Sequence, residues 1–505
     1  MQPKMKPKLH KSELFIYFGV YIVYIVYELW VLVKARHKIL AIAQYEFPQG
    51  WSFLRSRKDD TNDELYAFTE YIQQNWYWYL FHLAVVNIVR RYRPQWPQSL
   101  TNAFICIAIL MLTMSLTSMG LISSLIASYF FVAKLQSKIF VWLLSIAWMV
   151  VMIFMKSNKT LQESMGYMEF HHVMVSLCWC ILRGCSYSLQ MAKSYKSGEQ
   201  NAEMKYALTH YLGYSLYFPC FTLGPFMGYH RYIDPLVDYK EADLCVAKGN
   251  FKLFAWHIAR VGFWWLVLEI ALHYVYVHYM ALDIEAVKVL DTKFGLYAVG
   301  YFMGQFFFMH YIIVYGLGIA FAQYDGLNPP RKPRCIGLVH NYSDMWKYFD
   351  EGLYEFLFTH IYAELCSKDS SALRKILSTA ATFSFVFLWH GHYWYVFVWS
   401  VLNFCCLVLE KIVKTLTLSS TYNDIMRHKV GLSEGGIQRL NAFLGSQIFI
   451  PAAFSNCYFI SGLDVGNYLM GEAYLGGWWN YLTLTFCTYC FFQCCEIIMH
   501  KRYTQ

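Results

Sequence analysis

Apolar residues in this chain come in long unbroken runs, not in the alternation of strands or the one-sided stripes of soluble helices. Runs at 14–33, 75–89, 102–118, 120–134, 139–155, 168–183, 253–279, 295–322, 376–390, 393–413, 437–460 and 475–498 approach the length that carries a helix across a bilayer. The pattern predicts an all-α polytopic membrane protein. Residues 206–230 interrupt it, because Pro219, Gly224 and Pro225 break a stretch otherwise rich in aromatics. Broken backbone at membrane depth persists only where protein buries it or a cavity adjoins it, so a re-entrant element is expected there. Residues 345–362 are amphipathic and read as one continuous helix.

Composition agrees with this. Of 505 residues, 57% are hydrophobic, 19% aromatic and only 15% charged, where a soluble protein is nearer a quarter charged. The net charge of +9 is spread over loops, which fits membrane orientation and argues against a nucleic-acid partner. Lys4, Lys6, Lys8 and Lys11 precede the first run, and no small-residue cleavage site follows it. Residues 1–13 therefore read as the cytosolic side of a signal anchor. Basic groups at Arg331, Lys332 and Arg334, at Arg374 and Lys375, and at Lys411, Lys414, Arg427, His428 and Lys429 are cytosolic by the positive-inside rule. Residues 376–390 then run away from the cytosol and end on the lumenal side. The turn at 462–475 holds Asp464 and Glu472 but no Lys or Arg, and Lys501 and Arg502 follow, so the C-terminus also reads as cytosolic. The loop 34–73 mixes charges, and its side stays open. The 15 cysteines sit mostly inside apolar runs, as packing residues, with no disulfide framework and no zinc spacing. The sequence shows no internal repeat.

Two ionisable residues stand out. His390 closes an apolar run in Leu388-Trp389-His390-Gly391-His392-Tyr393-Trp394. An ionisable group at this depth is a functional candidate, and histidine titrates nearest neutrality, which suits proton transfer. The alternative is a histidine in an interfacial aromatic belt. Asp350 is the second. Winding 345–362 at about 100° per residue puts Asp350 on the stripe of Leu353 and Leu357, opposite Asp344, Glu351 and Glu355. A carboxylate so placed needs a partner or a proton; the alternative is an Asp that pairs with an Arg or caps a backbone. His171, His172, His360 and His392 read as structural, and the spacing of His390 and His392 suggests no metal.

The Trp389-His390-Gly391 run end, the segment Met345-Trp346-Lys347-Tyr348-Phe349-Asp350 and the Phe218-Pro219…Gly224-Pro225 stretch resemble the membrane-bound O-acyltransferase family in order and spacing. The likeness covers residues 205–415 in motifs and 1–505, as one domain, in span count. Many members have Asn at the position of Asp350; Asp there is typical of the Hedgehog acyltransferase branch, whose insect form the stretches 15–24, 59–65 and 182–189 resemble. The resemblance implies a bundle of about 10–12 transmembrane or re-entrant helices around a central tunnel. It implies His390 and Asp350 as catalytic residues, and palmitate transfer from palmitoyl-CoA to the N-terminal cysteine amine of a Hedgehog-type secreted protein in the endoplasmic reticulum. It also implies Cys335 as an axial ligand of haem b, a position that residue physics alone does not single out. A polytopic transporter is the rival from another class, and the lack of an internal repeat counts against it. O-acylation of another protein or lipid acceptor is the rival within the family.

Overall fold

The computed structural model describes residues 9–93, 95–198, 205–237 and 250–504. Lys4, Lys6 and Lys8 lie outside these residues, as do the side chains of Lys501 and Arg502. The described chain is helical, with a single isolated bridge between Gln49 and Arg57.

The helices used below are α1 (Lys11–Ala43), α2 (Asp63–Tyr92), α3 (Gln98–Thr113), α4 (Leu116–Lys134), α5 (Lys138–Ser157), α6 (Tyr167–Ser197), α7 (Leu208–Ser215) and α8 (Tyr229–Val237). They continue with α9 (Phe251–Leu272), α10 (Lys293–Tyr324), α11 (Tyr342–Phe349), α12 (Glu351–Leu357), α13 (Ala372–His390), α14 (Trp394–Thr417), α15 (Glu434–Tyr468) and α16 (Trp478–Thr504). Among the described residues 9 helices are long and apolar enough to cross a membrane: α1, α4, α5, α9, α10 and α13 to α16. Large apolar side chains such as Phe15, Leu116, Phe154, Trp256 and Trp479 are exposed on them. An apolar surface of this kind belongs in lipid. The protein is an integral membrane protein.

The remaining predicted runs fare differently. Residues 102–118 split between the shorter α3 and the start of α4. Residues 75–89 are the later part of α2, whose polar first turns are helical because Asn62 caps them, its Oδ1 accepting the Leu65 N–H at 2.7 Å. The expected loop 34–73 thus shrinks to the stretch between α1 and α2. Residues 168–183 belong to α6, which is buried along nearly its whole length. A helix in the centre of the bundle faces protein, not lipid, so it tolerates polar residues, Arg183 among them at 2% exposure.

Those polar residues have a purpose in the packing. Residues 213–229 are buried and run through an irregular stretch between α7 and α8, broken where the prolines and glycine predict. Carbonyls freed by the broken backbone are met by α6: Arg183 donates to the oxygens of Ser215 (3.2 Å) and Cys220, and Trp179 Nε1 donates to Thr222 O at 3.1 Å. The Tyr229 N–H donates to Ser186 Oγ at 3.2 Å. Buried backbone groups are paired here by side chains in place of a helix ladder. The neighbours approach closely: a Cβ on Gly318 of α10 would meet Gly224 O at 2.4 Å, and one on Gly352 of α12 would meet Phe226 O at 2.0 Å.

Two expectations are corrected. Residues 345–362 are not one helix. The backbone breaks at Asp350 (φ −127°, ψ 87°) between α11 and α12, and residues 358–362 loosen into a π-turn. The turn expected at 462–475 is a kink at Gly462 (φ +75°), after which helical structure continues to Tyr474. Glycine takes this left-handed backbone without the Cβ clash that other residues incur.

Candidate active site

The helices leave a cavity of about 560 Å³ between them. His390 and Asp350, 40 residues apart in sequence, both line it. A second cavity of about 170 Å³ adjoins it, with Gly304, Ile336, Met345, Asn456 and Ile460 common to both walls.

His390 is the last residue of α13. Gly391 ends the helix with φ +125°, its N–H still donating to Phe387 O at 3.1 Å. The imidazole packs edge-on against Trp389 (ring centroids 4.8 Å), Phe459 (5.0 Å) and Trp399 (5.5 Å). Neither ring nitrogen has a hydrogen-bond partner among the described residues. An aromatic collar therefore holds the ring while its nitrogens stay free for a substrate. The collar is itself tied down. Trp399 Nε1 donates to Asn456 Oδ1 at 3.2 Å, Trp346 Nε1 to Asn403 Oδ1 at 3.1 Å, and Asn403 Nδ2 to Ser455 Oγ at 3.1 Å. Tyr342 Oη donates to Asn403 Oδ1 or to Asn456 Oδ1, the latter at 3.2 Å. The aromatic-belt reading, which set His390 among Trp389, Tyr393 and Trp394, holds for Trp389 alone: Tyr393 and Trp394 are exposed, and Trp399 and Phe459 complete the contacts to the ring.

Asp350 owes its place to the break it sits in. Its Oδ1 caps α12, accepting the Leu353 N–H at 2.9 Å, and its Oδ2 accepts the Tyr315 hydroxyl at 2.9 Å. The helical wheel gave the right direction for a reason that does not hold, since no continuous helix passes through this residue. Burial pushes the carboxyl up from its ordinary range, and the Leu353 amide and Tyr315 hydroxyl offset this only in part.

Sequence reasoning passed over four other side chains. Glu64, in the first turn of α2, lines the same cavity and accepts the Tyr311 hydroxyl at 2.9 Å. Its signal was a carboxylate just ahead of an apolar run. Asn403 and Asn456, which brace the collar, lie in separate apolar runs, and only the fold brings them together. Glu28, the one carboxylate in residues 14–33, is buried on the wall of the second cavity with no hydrogen bond to either oxygen among the described residues.

Cys335 lies apart from His390, in the segment between α10 and α11. It is half-buried, its Sγ 4.0 Å from Gln305 Oε1, next to Ile336 on the second cavity. No group of three His, Cys, Asp or Glu that could hold a metal ion occurs among the described residues. A haem does not need one, because the porphyrin supplies its equatorial ligands and the protein an axial one. The buried Gln305 Nε2 has no hydrogen-bond partner among the described residues, so a polar group beside the thiol is left open. The residues fit an axially held haem.

Comparison with known proteins gives one family. The model of the membrane-bound O-acyltransferase family matches residues 124–455. Over 497 residues, 98% of this chain and 96% of the other, the chain is 47% identical to the protein-cysteine N-palmitoyltransferase Rasp of Drosophila melanogaster. It is 27% identical over 478 residues to the protein-cysteine N-palmitoyltransferase HHAT of Mus musculus, covering 91% of this chain and 92% of that one. The HHAT-like protein of the same species is 24% identical over 314 residues, 61% and 58% of the two chains.

Proposed function

This chain belongs to the membrane-bound O-acyltransferase family and is an acyltransferase, and on that footing we propose that it moves palmitate from palmitoyl-CoA to the N-terminal cysteine amine of a secreted, Hedgehog-type protein. The observation that carries this reading is the His390 ring, unpartnered and collared by aromatics, on one cavity wall with Asp350.

The acceptor nitrogen attacks the thioester carbon. The new C–N bond forms, the C–S bond breaks, and the proton lost by nitrogen leaves finally on the coenzyme A thiol. An α-amino group with pKa of about 7.7–8.0 is partly neutral near pH 7, so alignment, proton uptake and charge stabilisation matter more than nucleophile activation. His390 takes the proton as general base. Asp350, fixed by Tyr315 and the α12 cap, is the second catalytic residue and presents its carboxyl to the same cavity. A cavity between helices lets a donor made in the cytosol meet an acceptor that has entered the lumen. On this reading the protein resides in the endoplasmic reticulum, as the family resemblance implies, with the His390 end of α13 toward the lumen and both termini in the cytosol, an orientation that the basic loops favour. The catalytic region is 205–415, within a single domain.

Incubating the purified protein with labelled palmitoyl-CoA and a peptide with a free N-terminal cysteine tests the reaction. The expected label survives hydroxylamine, as an amide does. Label released by hydroxylamine means an ester or thioester product and rejects N-acylation.

We further propose haem b on Cys335, which would hold it through an axial thiolate and so support the segment between α10 and α11. The purified protein is expected to show a haem absorption band that Cys335→Ala removes. A band unchanged by the substitution rejects this ligand.

A further inference from the structure

The helix that ends at Asp350 begins without a cap of its own. Asn341, just before α11, is of the type that ordinarily takes the first free N–H groups of a helix. Among the described residues it makes no such bond, and its Nδ2 donates to Asp344 Oδ2 at 3.2 Å. The cap comes from another helix. Glu410 of α14 accepts the Tyr342 N–H at 2.6 Å on Oε2, and the Ser343 N–H at 3.2 Å and the Ser343 hydroxyl on Oε1. A carboxylate suits this place, since the free amides and the dipole of a helix start favour negative charge. Glu410 is 8% exposed, and Lys414, one turn on, donates to it at 2.6 Å.

Tyr342 is thus held by α14 at both ends, its N–H on Glu410 and its hydroxyl on Asn403 when it does not turn to Asn456. Asn403, two turns before Glu410, also accepts Trp346 Nε1. These bonds fasten α11 to α14, and the far end of α11 passes into Asp350 on the cavity wall. α14 starts just beyond His390 and carries Trp399 against its ring. The contact between α11 and α14 therefore sets where the carboxyl and the imidazole stand relative to each other. Glu410 itself does not line the cavity. We propose that Glu410 is a positioning residue for acyl transfer, which ties the start of α11 to α14 and so keeps Asp350 in register with His390. This rests on the reading of the cavity as the site of acyl transfer. Placement matters steeply there, since a shift of about 1 Å can cost about a hundredfold in rate. An aspartate at position 341 would bring the same charge and a cap to α11, but from its own chain segment and without the link to α14. Capping and tethering can thus be separated.

The test compares wild type, Glu410→Ala, Asn341→Asp and the double variant Glu410→Ala/Asn341→Asp, each as the full chain in detergent, well below its melting temperature. Lys414 is 40% exposed, so it turns to water when its partner is removed and no buried cation is left. Glu410→Ala is expected to lower kcat about ten- to a hundredfold, with the midpoint of the pH profile of kcat unchanged. Asn341→Asp alone should stay within a few-fold of wild type. The double variant should regain the melting temperature that Glu410→Ala loses but not the rate, because its α11 is capped yet unlinked. Should Glu410→Ala fail to fold, the double variant set against Asn341→Asp makes the same comparison. Hydrogen exchange over residues 342–349 reads the link without the reaction, and it should be faster than wild type in both chains that lack Glu410. Wild-type rate or wild-type exchange in the double variant overturns the tether and leaves Glu410 a cap. So does a shifted pH profile at unchanged maximal rate, which would make Glu410 part of proton transfer. If wild type itself labels no cysteine peptide, the reaction is rejected, and the exchange alone upholds or overturns the tether.

Discussion

His390→Ala lowers the rate of acyl transfer by about a hundredfold to ten-thousandfold, the span that a positioned general base contributes. The loss falls on kcat, because the imidazole nitrogens have no structural partner to lose. The substitution does remove ring contacts to Trp389, Trp399 and Phe459. The collar is braced independently through Asn403 and Asn456, however, and the change falls at the last residue of α13, leaving the apolar length of that helix intact. Membrane insertion and the KM for palmitoyl-CoA should therefore stay near wild type. Kinetics on purified protein check this, and a kcat retained within a few-fold would remove His390 from the chemistry.

Asp350 separates charge from structure more cleanly, because its two oxygens do different things. Asp350→Asn keeps an oxygen that caps α12 as well as Asp does, while its amide nitrogen takes the place of Oδ2 and donates to the Tyr315 oxygen. Thermal stability should change little, while kcat falls by about a hundredfold if the negative charge is what the reaction uses. Asp350→Ala removes the cap as well, which adds a stability loss of about 1 kcal/mol. Melting curves and initial rates on both variants check this. If Asn is as active as Asp, and Ala fails only by unfolding, Asp350 is a helix cap that happens to face the cavity.

Much of this was legible in the sequence because lipid imposes a simple rule. Where helices face the bilayer, as α1, α4 and α5 do, apolar runs report them directly. The same rule fails for α6, which is surrounded by protein and keeps Arg183 to satisfy the re-entrant carbonyls. His390 could be found because it breaks an apolar run. Asp350 was found on a helix that is not continuous, since periodicity cannot report a break that the Asp itself caps. Glu64 and Asn456 acquire meaning only from Tyr311 and Trp399, partners 247 and 57 residues away. No local pattern encodes those contacts.

In the proposed reaction one cavity joins a donor and an acceptor from opposite sides of a membrane at His390. Reconstitution in sealed vesicles tests it most directly, with the cysteine peptide trapped inside, labelled palmitoyl-CoA added outside, and His390→Ala as control. Labelled peptide is expected inside the vesicles from protein molecules whose His390 end faces inward, and none with the variant. Labelling only when donor and acceptor share a compartment would contradict it.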